Sequence, residues 1–293
     1  MEFYTSVLPY RGRLLVRGVD KDGTHKKYRI NYKPSLFVPV GKETKYKTLD
    51  GRYVERIKFD SMPEATKWVN EYKNVTNFEY FGNTRHQYPF IADEFKGKID
   101  WDMNKIKLLT IDIECESENG FPSPEKADQP LICITVKDHT TKKIIVFGMG
   151  NFVNDREDVQ YINCVTETGL VETFTKFWVE YNPDIITGWN VKFFDIPYLM
   201  NRFRYLMGDE WLNQFSPWGI VEQKSASVLF ASREQQVWNI MGVDTLDYLD
   251  LYRKFTFVRR ESYKLDYIGE VELGQNKLDN PYDTFKEFYS NDY

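Results

Sequence analysis

Apolar and polar positions alternate along much of the first third of the chain, and this two-residue period is typical of half-buried β-strands. A tight turn at Asp22-Gly23 joins the second and third of the alternating segments. The predicted strands cover residues 4–7, 13–19, 26–32, 36–40 and 52–59. Their short connections favour antiparallel pairing.

A helix follows these strands at residues 63–72, where apolar side chains recur with helical spacing. Ser61 and Glu64 have the spacing of a capping box, which predicts the start of the helix. Residues 84–102 show neither period and are predicted to be an irregular linker. The pattern therefore predicts a small α+β N-terminal domain over residues 1–104.

The pattern changes in the remainder of the chain, residues 105–293, from consecutive strands to alternating helices and strands. The predicted strands cover 108–116, 131–136, 143–147, 161–165 and 184–187, and the predicted helices cover 170–181 and 195–207. A turn at 118–120, a hairpin formed by 228–232 and 236–240, and a strand leading into a helix at 244–254 are also predicted. An antiparallel meander followed by α/β units predicts an α/β ribonuclease H-like domain, a mixed sheet flanked by helices.

Composition narrows the classes of protein without identifying one. Apolar residues make up 42% of the chain, enough for substantial cores, but no run is long enough to span a membrane and no signal peptide is recognisable. A cytoplasmic protein without a membrane partner is predicted. Three cysteines and three scattered histidines give no zinc-ligand spacing and no catalytic triad. The net charge of −5 does not indicate a nucleic-acid binder, although basic residues cluster locally near both ends.

The first chemically informative stretch is LLTIDIECE, residues 108–116, where two carboxylates interrupt an apolar strand. Asp112 and Glu114 lie on one face because side chains alternate along a strand. On its own, such a pair is often just the wet face of a half-exposed sheet. Here the carboxylate face is apolar until its C-terminal end, and paired carboxylates suit Mg²⁺ or Mn²⁺.

The second stretch is GWNVKFFDIPYLMNR, residues 188–202, which leaves a strand at a glycine and enters a helix near Asp195. Asp195 is a good candidate for a simple helix N-cap, since it stands two residues before a proline. Together with Asp112 and Glu114, however, a carboxylate at a helix start is how a two-metal hydrolytic site is assembled. The residues alone leave both interpretations open.

In this order and context, DIECE and GWNVKFFDIPYL resemble the first and second exonuclease motifs of family B DNA polymerases of the T-even bacteriophage type. The resemblance extends over essentially the whole chain, through NYKPSLFVPV, GFPSP, FSPWG and LDYLDLYRKF. It implies the N-terminal and 3′→5′ exonuclease region of a DNA-directed DNA polymerase, in the cytoplasm of the host cell if the protein is viral.

Site residues follow from the resemblance, position by position. It implies that Asp112, Glu114 and Asp195 are catalytic ligands of Mg²⁺ or Mn²⁺. It further implies that Asn190 and Phe194 contact the 3′-terminal nucleotide of single-stranded DNA or of a primer, and that Phe121, a third substrate-binding residue, lies near the primer end. For these last three residues, ordinary loop packing is the alternative.

One family feature is not matched within the chain. The resemblance places a third motif, Tyr-x-x-x-Asp, beyond Tyr293, and Tyr289 and Asp292 have a different spacing that does not fit it. The first hypothesis is a proofreading exonuclease that releases nucleoside monophosphates. The alternatives are a non-catalytic nucleic-acid-binding fragment, which could bind RNA through its N-terminal domain, half of a split polymerase needing a partner chain, and a free-standing RNA exonuclease of the same fold.

Overall fold

The computed structural model describes residues 1–116, 121–227 and 234–277, together with residues 282 and 287. The chain divides into two compact units, Met1–Lys105 and Ile106–Tyr293. Among the described helices, none has the length and apolarity that crossing a membrane requires.

The first unit contains two three-stranded antiparallel sheets and two helices. One sheet has the order β1-β2-β3 and the other β4-β6-β5. The strands are β1 (Phe3–Tyr10), β2 (Arg13–Val19), β3 (His25–Ile30), β4 (Ser35–Pro39), β5 (Tyr46–Lys47) and β6 (Tyr53–Lys58), and the helices are α1 (Met62–Tyr72) and α2 (Gln87–Glu94). Two small cores stabilise the unit, one around Leu14, Val16, Met62 and Phe90, and the other around Leu36, Phe59 and Ala65.

All five strands predicted in this unit are present, and so is the predicted helix α1. Its cap differs in detail from a capping box. The Ser61 hydroxyl accepts a hydrogen bond from the Glu64 N–H (3.3 Å), but the Glu64 carboxylate accepts from the Asp60 N–H (2.7 Å), one residue earlier than expected.

The prediction of an irregular linker at residues 84–102 is wrong, because α2 lies within it. This helix has His86 at its N-cap and no side-chain cap hydrogen bond, so it lacks the Ser, Thr, Asp or Asn that usually marks a helix start. It is stabilised instead by Phe90, which is 5% exposed and packs with Leu14, Val16 and Met62. Contacts with residues so distant in the chain leave no local pattern.

The described part of the second unit is built on a six-stranded mixed sheet of order β10-β9-β8-β7-β11-β14. The strands of this unit are β7 (Leu108–Cys115), β8 (Leu131–Asp138), β9 (Ile144–Gly148), β10 (Val159–Asn163), β11 (Ile185–Gly188), β12 (Val221–Ser227), β13 (Glu234–Ile240) and β14 (Asp244–Asp247). The α-helices are α3 (Glu167–Tyr181), α4 (Asp195–Met207), α5 (Asp209–Leu212), α6 (Tyr248–Phe255) and α7 (Leu265–Leu273), and short 3₁₀ turns occur at Met103–Lys105 in the first unit and Asn213–Phe215 in the second.

The predicted meander is confirmed, since β7, β8 and β9 pair antiparallel in sequence. The predicted edge strand is β10, which pairs parallel to β9. On the other side, β11 lies parallel to both β7 and β14. The sheet is therefore mixed, and its parallel strands bring their carboxyl ends to one edge.

The core of the second unit lies where α3 and α4 cover the sheet. Helix α3 contacts β8 and β9, and α4 contacts β7. Aromatic rings fill the space between these elements, and the Phe174 ring centroid lies within 6.3 Å of those of Trp178, Phe203 and Phe215. Helix α4 has the predicted bounds.

A hairpin is present, but it pairs β13, which contains the predicted strand 236–240, with β12, whose residues precede the predicted first strand. Its described first strand ends at Ser227, and the predicted strand at 228–232 lies outside the described residues. The same holds for the predicted turn at 118–120 and for Tyr289 and Asp292. The strand and helix predicted at 244–254 are β14 and α6.

Candidate active site

Strands β11 and β14 end level with each other, beside the parallel strand β7, which continues further to Cys115. Strand β11 stands between β7 and β14, with Thr187 opposite Thr110 and Gly188 opposite Asp247. In open sheets, the carboxyl ends of parallel strands are where sites form, because loops leaving them diverge and open a crevice. The first predicted motif lies on β7, and the second begins where β11 ends.

Strand β7 buries one face and exposes the other. Leu109, Ile111 and Ile113 are 0%, 2% and 6% exposed, whereas Asp112 and Glu114 are exposed. The predicted sharing of one face by the two carboxylates is confirmed. Although Asp112 reaches solvent, the surrounding protein removes part of its hydration and raises its pKa, while the positive charge of Lys277 acts in the opposite direction.

Asp195 lies in a different environment, at the first residue of α4. The N-cap is Phe194, with no side-chain cap hydrogen bond, so Asp195 is not the N-cap that one interpretation of the sequence suggested. Its side chain is buried, at 5% exposure. Burial first, and then repulsion from Asp112, raise the pKa of Asp195 to about 8. A main-chain hydrogen bond from Ile113 to the Asp195 carboxylate places Asp195 beside β7, within range of the charge of Asp112.

The turn between β11 and α4 is held by close main-chain packing. A Cβ on Gly188 would lie 2.7 Å from the Ile111 carbonyl oxygen, so only glycine lets β11 approach β7 at this point. Asn190 has φ of 63°, in the left-handed region that asparagine tolerates better than most residues. Its carbonyl accepts hydrogen bonds from the N–H groups of Phe193 and Phe194, at 3.1 and 3.0 Å.

Two of the three predicted nucleotide-binding residues meet as a ring pair. The centroids of Phe121 and Phe194 are 5.1 Å apart, with the ring planes at 42°. Phe121 is 86% exposed, which is unusual for a large apolar side chain, whereas Phe194 is partly buried and also lies 6.0 Å from Tyr198. An exposed ring of this kind offers a stacking surface for a nucleobase.

Comparison with known proteins identifies the family. The family model described as DNA polymerase family B, exonuclease domain, matches residues 64–268. The chain belongs to this family. The prediction made from the two exonuclease motifs is confirmed.

Curated relatives agree with this assignment to the DNA polymerase B exonuclease family. The chain is similar to the DNA-directed DNA polymerase of Escherichia phage RB69, at 31% identity over 98% of this chain and 35% of the relative. It is also similar to the DNA-directed DNA polymerase of Enterobacteria phage T4, at 29% identity over 96% of this chain and 34% of the relative. The chain thus spans about a third of the length of these two relatives.

All three predicted metal ligands of this exonuclease domain are carboxylates. Oxygen donors of this kind suit hard divalent cations. In the described residues, however, no three His, Cys, Asp or Glu side chains are arranged so that they could hold a metal ion as they stand. Asp112 and Asp195 are coupled, and Glu114 shares the face of Asp112. The donor chemistry therefore fits Mg²⁺ or Mn²⁺, and holding the cation would require the carboxylates to turn towards it.

Sequence reasoning missed Asp247, which the structure places at the end of β14. Its carboxylate accepts hydrogen bonds from the N–H groups of Asn190 (3.0 Å), Lys192 (3.0 Å) and Leu249 (2.9 Å), and it is 4% exposed. It therefore fixes the turn that leads to Asp195. The sequence could have indicated Asp247 as a site residue, because it stands at the carboxyl end of a predicted strand, where sites form in open sheets. Lys277, whose charge acts on Asp112, had no signal of this kind.

Proposed function

We propose that this chain provides the 3′→5′ proofreading exonuclease of a family B DNA-directed DNA polymerase. The reaction is hydrolysis of the terminal phosphodiester at the 3′ end of single-stranded DNA or of a primer, with release of a nucleoside monophosphate. The observation that carries the proposal is that Asp112 and Glu114 share the exposed face of β7, while Asp195, whose charge interacts with that of Asp112, begins α4 directly after the Phe121–Phe194 ring pair. The strand order and the antiparallel meander support a ribonuclease H-like arrangement.

Each carboxylate has a role that its environment supports. Asp112 and Glu114 are exposed and meet the incoming phosphate from the solvent side, while Asp195 is held from within by α4. Mg²⁺ or Mn²⁺ bound by these three residues would activate water and neutralise charge on the phosphate. The repulsion between Asp112 and Asp195 favours a cation there, because a positive charge would relieve it.

The Phe121–Phe194 ring pair binds the base of the substrate. We assign Phe121 and Phe194 to contact with the 3′-terminal base, and Asn190 to contact with the same nucleotide. Stacking of a base on a ring contributes about 1–3 kcal/mol. A paired base is already stacked in its duplex, so the rings would favour a frayed primer end over a paired one.

We also propose a division into an N-terminal domain, residues 1–104, and an exonuclease domain, residues 105–293. Lys26, Lys27 and Arg29 are exposed on β3, and basic side chains of this kind contact nucleic-acid phosphates. The N-terminal domain is thus a candidate for binding nucleic acid, including RNA. A partner chain carrying the rest of a polymerase belongs to the same proposal.

The test is release of nucleotides from the 3′ end of single-stranded DNA in Mg²⁺ or Mn²⁺. The Asp112→Ala, Glu114→Ala double variant is compared with Asp155→Ala, Glu157→Ala, which removes an exposed acidic pair of the same spacing. Loss of cleavage in the first variant and not in the second is the expected result. Unchanged cleavage in the first would overturn the metal-ligand assignment. Retained DNA binding without any cleavage by the unaltered chain would favour the binding fragment, or the half that needs a partner chain.

A further inference from the structure

One face of α4 donates three hydrogen bonds to the main chain of a distant segment. The Tyr198 hydroxyl donates to the Gln129 carbonyl (2.7 Å), and the Asn201 amide donates to the Pro124 carbonyl (2.7 Å). The Arg202 guanidinium donates to the carbonyl of Ala127 (3.1 Å). We call Tyr198, Asn201 and Arg202 the donor face, and residues 121–130, which contain all three acceptors, the anchored segment.

The donor face is polar and yet buried. Tyr198, Asn201 and Arg202 are 0%, 8% and 6% exposed. Residues three and four positions apart share one side of a helix, so all three side chains point the same way. Buried polar groups are stable only when they are hydrogen-bonded, and the anchored segment supplies the acceptors.

Glu167 of α3 hydrogen-bonds both to the donor face and to the residue that follows the anchored segment. Its carboxylate accepts from two nitrogens of Arg202, both at 2.7 Å, and also from the N–H of Leu131 (2.8 Å), where the anchored segment enters β8. A two-point pair of this geometry holds the guanidinium in one orientation. The Arg202 donor is therefore fixed relative to the sheet.

The backbone of the anchored segment is itself constrained. Ala127 is fully buried and has φ of 44°, in the left-handed region that a non-glycine residue rarely adopts. Such a conformation persists only where the surroundings determine it. The hydrogen bond from Arg202 ends on this residue.

The first residue of the anchored segment is Phe121, and its ring lies against Phe194, the residue immediately before α4. Helix α4 thus begins directly after one ring of the pair and fixes the segment that carries the other. We propose that Tyr198, Asn201 and Arg202 are positioning residues that set the Phe121 ring opposite Phe194 for the 3′-terminal base. This inference rests on the base contact of the proposed function.

The test uses the full chain with EDTA present, so that DNA binds without being cut. The probe is a single-stranded oligonucleotide with 2-aminopurine as its 3′-terminal base, whose fluorescence reports stacking. Tyr198→Phe and Asn201→Ala each remove one donor. The matched control is Ser216→Ala, since the buried Ser216 hydroxyl donates to the Met241 carbonyl (2.7 Å), away from the anchored segment.

We expect the two donor-face variants to weaken the stacking signal, with an apparent affinity about 3- to 10-fold lower, and Ser216→Ala to leave it unchanged. A double-mutant cycle with Phe121→Ala separates positioning from a general loss of stability. In the Phe121→Ala background, Asn201→Ala should have no further effect on the signal, because the ring it positions is gone.

Hydrogen exchange without DNA gives an independent readout. Amides in residues 121–130 should exchange about 10-fold faster in Asn201→Ala and not in Ser216→Ala. If Phe121→Ala weakens the stacking signal while the donor-face variants change neither that signal nor the exchange rates, the positioning role is overturned and the base contact stands. An unchanged signal in Phe121→Ala would instead overturn the base contact on which the inference rests.

Discussion

Strand β7 and helix α4 both carry carboxylates of the candidate site, but the two elements differ in how deeply those carboxylates are buried. On β7, burial alternates residue by residue, so that Asp112 and Glu114 are exposed while Ile111 and Ile113 fill the core. On α4, every residue from Asp195 to Phe203 is buried. Asp195 is therefore enclosed by protein, and Asp112 is reached by solvent.

Carboxylate side chains therefore have two different electrostatic environments, one on the exposed face of β7 and one in the buried first turn of α4. An exposed carboxylate keeps most of its hydration, and a cation or phosphate can reach it directly. A buried carboxylate loses hydration, and its pKa rises until a proton or a cation compensates for the charge. The strand thus presents carboxylates to the solvent, whereas the carboxylate on the helix is buried and is stabilised by a proton or a cation.

The largest expected effect comes from separating the two elements where they touch. In Gly188→Ala, the added Cβ would meet the Ile111 carbonyl oxygen at 2.7 Å, and main chain cannot move aside cheaply. We expect the free energy of unfolding to fall by about 3 kcal/mol. Urea denaturation followed by circular dichroism measures this.

Gly41→Ala is the control for this substitution, because a Cβ there meets nothing within 4 Å and the backbone has an ordinary φ. It should change the free energy of unfolding by less than about 0.5 kcal/mol. Equal losses in the two variants would show that the contact between β11 and β7 is not what requires glycine at position 188.

A smaller effect is expected from removing the buried charge. The pKa of Asp195 is about 8 in the folded chain and close to its usual value of 3.8 when unfolded. Between these values the folded state binds more protons, so the free energy of unfolding should fall as pH rises from about 4 to about 8. In EDTA at pH 8, Asp195→Asn should be more stable than the unaltered chain by roughly 2 kcal/mol.

The measurement for this variant is a series of urea titrations from pH 4 to pH 9. The unaltered chain should show the falling stability, and Asp195→Asn should show a flatter profile. Mg²⁺ should then stabilise the unaltered chain more than the variant. Parallel profiles for the two proteins in EDTA would contradict the buried, proton-binding state of Asp195.

The same contrast explains what the sequence could reveal. The two-residue period identified the exposed face of β7, because alternation is a local property. Asn201 and Arg202 of α4 carry no such signal, since polar residues on a helix ordinarily predict a solvent-facing side. Their acceptors, Pro124 and Ala127, stand more than 70 positions earlier in the chain.

The residues of the candidate site also differ in how far a local pattern could predict them. Asp112 and Glu114 could be found from strand geometry, and Asp195 only as one of two interpretations. Family resemblance, and not periodicity, led to Phe121 and Phe194. Helix α2 was missed because the residues that stabilise it lie in other elements. Local patterns predicted what depends on neighbours in the chain, and long-range hydrogen bonds and packing remained invisible.

A further way to sharpen the comparison is to loosen the turn between the two elements. Asp247 accepts three main-chain hydrogen bonds, and an amide in its place would turn a donor towards at least one of those N–H groups. Burial raises the pKa of Asp247, so removing the charge offsets part of the loss, and Asp247→Asn should lower the free energy of unfolding by only about 1 kcal/mol. It should also speed hydrogen exchange at the Asn190 and Lys192 amides.

The control for Asp247→Asn is Asp250→Asn. Asp250 also lies near Lys192, with 3.8 Å between the charged atoms, but it is only a partly exposed ion pair. It should have little effect on stability or on exchange at these amides. Similar exchange in the two variants would point to the charge near Lys192, and not to the hydrogen bonds of Asp247, as what holds the turn.

The smallest expected effect comes from Asp112→Asn, the strand counterpart of Asp195→Asn. Desolvation raises the pKa of Asp112 as well, so the sign is the same: in EDTA, stability should rise on substitution at a pH above the ordinary carboxyl range. Because the side chain reaches solvent and Lys277 offsets part of the cost, the gain should stay below about 0.5 kcal/mol. The same urea titrations measure it. A gain as large as that of Asp195→Asn would mean that the strand carboxylate is enclosed as deeply as the helix carboxylate, and the distinction between a ligand presented to solvent and a charge held within the protein would no longer stand.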